Sequence, residues 1–181
     1  MSLTVRDLEI GFNLYLMGLP NSSDGAVPIP LDVQGRKFAK YIANFGTGLQ
    51  VAVKSVSLGP GVTDSDLDLN AIADVVSGTN INFSKIVAII VVNTTEDPTA
   101  LLYADAGATN GWTVPYSGWR CSAFGLNSKG ESVPGIIFNH NTNSSFQWPV
   151  TNGATDTINM NTNTPATATT ITGRLIIIGY P

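Results

Sequence analysis

Apolar residues in this chain follow two patterns. Most recur at every second position, and two short runs do not alternate at all. Leu49, Val51 and Val53, then Val56 and Leu58, alternate with polar residues and predict a strand closed by Gly59-Pro60-Gly61. Asp66-Leu67-Asp68-Leu69 predicts a short extended segment with carboxylates on one side. Further strands are predicted over 81–93, 100–104, 135–139, 146–150, 155–161 and 170–179, with a hairpin turn at Asn152-Gly153. Residues 105–135 are rich in glycine and read as loop, carrying Trp112, Tyr116, Trp119 and Phe124. Two places suggest helix. Phe38, Tyr41, Ile42 and Phe45 fall at i, i+3, i+4 and i+7, the spacing of a short amphipathic helix ending near Gly46, with a strand as the alternative that fits the spacing less well. Ala71 to Val76 reads as a single helical turn before Gly78.

The exceptions to alternation are Ile86-Val87-Ala88-Ile89-Ile90-Val91-Val92 and Leu175-Ile176-Ile177-Ile178. Both are rich in β-branched residues, which favour strands. A sandwich strand with one face in water alternates. A strand that is apolar on both sides needs cover on both sides. In a chain with little helix to supply it, a neighbouring subunit is the natural source, and this points toward assembly rather than catalysis. Lys85 and Arg174 flank the two runs, where charge guards against uncontrolled strand pairing.

These elements predict an all-β chain: a jelly-roll-like antiparallel β-sandwich of roughly eight strands with at most one or two short helices. Residues 1–35, with Pro20, Pro28 and Pro30, read as an N-terminal arm, and residues 36–181 as a single β-sandwich domain. No internal repeat suggests a propeller or solenoid.

Composition narrows the function. The charged fraction is 12%, about half the usual share, and the hydrophobic fraction is 43%. Asn, Thr, Ser and Gly must therefore cover much of the surface, as they do in extracellular and virion β-proteins. The net charge is −4, and the nine basic residues form no cluster. Direct nucleic-acid binding and docking on an anionic membrane are not expected. The apolar runs are too short to span a membrane, and Arg6, Asp7 and Glu9 near the start do not fit a signal peptide. The expected setting is a virion assembled from protein made in a host cytoplasm. Four Asn-x-Ser/Thr sequons, at Asn21, Asn82, Asn93 and Asn143, match what chance gives in so Asn-rich a chain.

Leu67-Asp68-Leu69, the stretch from Lys85 to Thr94, the glycine-rich middle and the closing Leu175 to Gly179 together resemble a loose group of small phage virion structural proteins. That group is built as β-sandwiches with a short "LDL" strand, a lysine followed by an apolar run and "N-T", and a last strand ending in "IIG". The resemblance spans residues 66–181 and implies a virion structural role with no catalytic residues to carry over. The group's glycine-proline-glycine turn falls here at Gly59-Pro60-Gly61, ahead of the matching region.

Residue chemistry offers few alternatives. Cys121 and His140 are the only residues of their kinds, and nothing in the sequence brings them together as a nucleophile and base. One Cys cannot form an internal disulfide, and one His with one Cys cannot build a zinc site. No phosphate-cradling glycine loop is present and no cofactor is expected. Asp64, Asp66 and Asp68 are weak metal candidates, because the EF-hand positions for Gly and Glu hold Leu69 and Val75. Trp112, Tyr116, Trp119 and Trp148 have three readings: core anchors, a subunit interface, or a platform for sugar rings.

The leading expectation is a non-catalytic capsid, decoration or spike component. It self-assembles as a homo-oligomer through apolar strand faces and aromatic loops, together with other virion proteins. The alternative is a carbohydrate- or receptor-binding β-sandwich module with a glycan receptor as partner.

Overall fold

The computed structural model describes residues 4–5, 12–17, 36–41, 49–59, 62–75, 77–139, 145, 147–162 and 170–181. These form an all-β protein with antiparallel strand pairing throughout its sheets and no α-helix among the described residues. In chain order the strands are β1 (Thr4–Val5), β2 (Phe12–Met17), β3 (Arg36–Tyr41), β4 (Leu49–Leu58), β5 (Asp64–Asp68), β6 (Ile72–Ala73) and β7 (Asn80–Ile81). They continue with β8 (Lys85–Asn93), β9 (Leu101–Ala106), β10 (Arg120–Phe124), β11 (Gly135–Phe138), β12 (Trp148–Pro149), β13 (Thr157–Thr162) and β14 (Ile171–Tyr180).

The larger sheet has the order β1-β4-β14-β8-β11, with β12 also on β8, and the second sheet has the order β10-β9-β13-β5. The two sheets share one core. Ala52 and Val56 of β4, Ile86, Ile89 and Val91 of β8, and Leu175 and Ile177 of β14 meet Leu102 and Ala104 of β9, Cys121 and Ala123 of β10, and Ile158 and Met160 of β13. Small inward residues on β9 and β10 let the sheets approach closely. At Gly135 the space a Cβ would need is taken by the Ser122 backbone, and at Gly173 by Val92 and Leu102.

Both apolar runs lie at the centre of the larger sheet. Strand β14 is laddered on one side to β4 (Ile177↔Ala52) and on the other to β8 (Ile177↔Ile89). The ladder shifts by one residue between Ile178↔Ala88 and Gly179↔Ile86, which is a β-bulge. The bulge breaks the two-residue alternation, so Ile86 and Ile89 both face the main core while Val87 and Ala88 both join a second cluster on the opposite face with Leu49 and Ile178. Leu49, Val87, Ala88 and Ile178 are buried there without a neighbouring subunit. For these four residues the chain itself supplies the cover for which a neighbouring subunit was the expected candidate. The remainder of the outer face (Val51, Val53, Ile90, Val92 and Ile176) is only half-buried.

Two helical expectations are overturned. Arg36–Tyr41 is not a helix but strand β3, paired residue by residue with β2 from Phe12↔Tyr41 to Met17↔Arg36. Pairing with a distant segment outweighs the weak local signal of four apolar positions. The rest of that predicted helix lies outside the described residues. The predicted helical turn from Ala71 to Val76 is not seen over its described residues, Ala71 to Val75, either. Ile72–Ala73 pairs with Asn80–Ile81, and Asp74 lies on the turn between them. Its carboxylate accepts the Val53 N–H (2.9 Å) and the Ser77 N–H (2.6 Å), while the Val75 N–H donates to the Val53 carbonyl (2.8 Å). The hairpin thus satisfies the open edge of β4, a position that would otherwise invite another strand.

One polar side chain bridges the sheets from inside. Asn93, fully buried at the end of β8, donates from Nδ2 to the carbonyls of Ala100 (3.0 Å) and Ala123 (3.3 Å) and accepts the Thr95 N–H at Oδ1 (3.0 Å). Asn93→Ala removes all three bonds and strands buried backbone groups, so a loss of about 2–4 kcal/mol is expected. It would be read as a lower urea midpoint with an unchanged denaturant slope. Gly135→Val, which forces a side chain into the Ser122 backbone, is expected to cost about 1–3 kcal/mol in the same assay.

Candidate functional site

The tryptophans come together, but inside the protein. Trp112 is 0% exposed and Trp119 1% exposed. Their rings meet edge to face at 5.5 Å, and Trp148 meets Trp112 in the same way at 5.9 Å. Each buried indole N–H is satisfied by a carbonyl: Trp112 donates to Pro149 (2.9 Å) and Trp119 donates to Trp112 (2.5 Å). Of the three readings of these residues, burial fits the core anchor for Trp112 and Trp119, because a sugar ring stacks on an exposed aromatic face and neither ring offers one. Trp148, placed by the pairing of β12 with Ile86 and Lys85 of β8, is half-buried against the same core. Tyr116 is different: it is 57% exposed, on the turn that leads into Trp119.

The three aspartates are on or at the ends of β5, and a second bulge separates them. Pairing with β13 runs Ile158↔Leu67 and then Met160↔Asp64, so one extra residue is accommodated in β5. Asp64 therefore falls on the side of Leu67, where it forms an ion pair with Lys54 of the facing sheet (3.4 Å). Asp68 instead closes a local turn by accepting the Asn70 N–H (2.7 Å). Asp66 is on the same strand between them. Among the described residues no three His, Cys, Asp or Glu side chains converge.

Cys121 faces the core from β10, with its Sγ 3.5 Å from the Ile89 carbonyl. Burial pushes its thiol up to about 11 from an ordinary 9.0, against two weaker backbone contacts that pull it down. Such a thiol is protonated and unreactive at neutral pH. His140 lies outside the described residues.

A polar cluster that the sequence did not signal occupies the outer face of the second sheet. Arg120 of β10 sits directly opposite Asp105 of β9. Its guanidinium lies 4.0 Å over the Tyr103 ring and 4.0 Å from the Asp105 carboxylate. Asn161 of β13 donates to Asp105 (2.8 Å) and accepts the Thr63 hydroxyl (2.6 Å). Burial raises the Asp105 carboxyl above its ordinary range, while the Arg120 charge and the Asn161 amide oppose the shift. Beside this cluster is a surface recess of about 260 Å³ lined by Asp105, Ala106, Gly118, Trp119 and Arg120. These residues come from β9, β10 and the turn before β10, and β10 falls inside the glycine-rich stretch that reads as loop, so alternation alone did not group them.

Ellman's reagent should leave Cys121 essentially unreacted in the native protein and titrate one thiol in denaturant. The raised thiol pKa alone implies roughly a hundredfold less thiolate at neutral pH than for an ordinary cysteine. Rapid native labelling would contradict this placement of β10.

No family model matches the chain, and no curated protein matches it. Among solved structures it is similar to a chain of the cyanophage Pam1 capsid asymmetric unit, with 18% identity and a TM-score of 0.36, over 91% of this chain and 100% of that one. This likeness is too distant to argue from.

Proposed function

We propose that this chain is a non-catalytic structural protein of a virion, a capsid, decoration or spike component that assembles with copies of itself and with other virion proteins. The observation that carries the proposal is the outer face of the larger sheet. Val51, Val53, Ile90, Val92 and Ile176 form a half-covered apolar surface there, and Ile136 is 38% exposed on the neighbouring strand. The polar end of the same face, with Ser55, Ser57, Thr172 and Arg174, is exposed to water. An apolar area bordered by polar residues is the form of a contact surface. The apolar outer positions sit on a rigid three-strand ladder, β4-β14-β8, so the surface is preformed.

The winding of the chain supports the same reading. Leaving the two-residue β1 and β12 aside, four strands (β4-β14-β8-β11) face four (β10-β9-β13-β5). In chain order the path alternates between the sheets: β4, β5, β8 and β9, then β10 beside β9, then β11, β13 and β14. This is the strand order of a jelly roll, an architecture used by capsid and lectin domains. The low charge fraction suits an assembling role, because closely packed copies repel one another little.

Light scattering after size exclusion should report a closed oligomer or larger particle at micromolar concentration. The double variant Ile90→Lys, Ile176→Lys is expected to lower the assembled mass while circular dichroism stays native. Lysine can extend from half-buried positions into water, so the fold survives and only the contact is lost. A wild-type protein that stays monomeric at hundreds of micromolar would remove the proposal.

A further inference from the structure

We propose that the recess beside Asp105 and Arg120 binds a single neutral sugar ring, with these two side chains engaging neighbouring hydroxyls. The inference does not depend on assembly. It rests on a mismatch within the pair. The Arg120 Nη2 and Asp105 Oδ2 atoms are 4.0 Å apart, too far for a direct hydrogen bond. Asn161 fixes the other carboxylate oxygen at 2.8 Å, and the Tyr103 ring supports the guanidinium at 4.0 Å. The Arg120 side chain is 53% exposed, so its N–H donors are open to a ligand.

A hydroxyl both donates and accepts. A vicinal diol can therefore donate one O–H to Asp105 Oδ2 and accept an Arg120 N–H at its neighbour. Charge sets the ligand class. The carboxylate disfavours phosphates and other anions, the guanidinium disfavours cations, and a neutral polyhydroxyl compound meets neither penalty. The carboxylate is partly desolvated by burial, so a hydroxyl donor offsets a cost the fold already carries.

Size and shape agree. At about 260 Å³ the recess is below the roughly 300–1,000 Å³ of sites for drug-sized molecules, which fits one ring rather than a chain of them. One wall is Gly118 and Trp119, the end of a turn closed by the Trp119 N–H on the Tyr116 carbonyl (3.4 Å) and with Gly118 at φ 75°, a conformation open mainly to glycine. Trp119 anchors the turn to the core through its indole N–H, which makes the wall rigid.

Saturation-transfer NMR on the purified full chain, titrated with glucose, galactose, mannose and N-acetylglucosamine, tests the site and works equally well on a monomer or a large particle. The expected result is saturable binding of at least one of these with a millimolar Kd, weakened about tenfold or more by Arg120→Ala and by the near-isosteric Asp105→Asn. Native folding of each variant is checked by Cys121 remaining unreactive. No saturable transfer from any of the four sugars up to tens of millimolar would overturn the proposal. Binding that persists unchanged in both Arg120→Ala and Asp105→Asn would overturn it equally.

Discussion

Strand β14 has to be covered on two faces and paired on two edges, and the arrangement of the sandwich follows from meeting those four demands. Its edges are taken by β4 and β8 over nearly their full length. Its inner face, Ile171, Leu175 and Ile177, is sealed by the second sheet, and at Gly173 the Val92 backbone of β8 and the Leu102 side chain of the second sheet take the space of a Cβ. Its outer face is harder to cover. The bulge in β8 places Val87 and Ala88 side by side on that face, opposite Ile178, and concentrates apolar surface at one end. Burying such a cluster contributes roughly 25 cal/mol for each Å² removed from water, and Val51, Ile90 and Ile176 beside it remain half-covered.

Polar groups inside the fold are handled by a few side chains that stand in for missing backbone partners. Asn93 supplies hydrogen bonds where β8 ends and the two sheets diverge. Asp74 does the same along the β4 edge. Each replaces a ladder partner that the topology cannot provide. The indole N–H groups of Trp112 and Trp119 also use backbone carbonyls, and with Trp148 edge to face on Trp112 the three tryptophans pack as one plug. That plug in turn fixes the turn beside the Asp105–Arg120 recess. A buried aromatic cluster and a surface polar site are in this way mechanically connected through Trp119.

The strongly periodic segments were legible from residues alone. Strands β4, β8, β9, β11, β13 and β14 fall close to where alternation or unbroken β-branched runs put them, because those patterns have no other stable use in an all-β chain. Strand β10 was hidden. Arg120-Cys121-Ser122-Ala123-Phe124 does alternate, but its inward residues are small, and small residues are needed there because the sheets nearly touch at Gly135. Strand β3 looked helical because four apolar residues at helical spacing mean little without knowledge of a partner, and the partner, β2, lies far upstream.

Residue types and their order determined the class of fold, the position of its central strands and the absence of an obvious catalytic motif. They could do so because side-chain alternation and β-branching act locally. Tertiary structure alone decided which faces those strands share, since two single-residue bulges reset the alternation in β8 and β5. In β8 the shift divided the apolar run between two clusters. In β5 it turned Asp64 away from Asp68 and toward Lys54. The same long-range pairing set Arg120 against Asp105 and drew the tryptophans inward. These outcomes depend on which backbone groups bond across the sheet, and that is fixed by residues too far apart in the chain for any local pattern to encode.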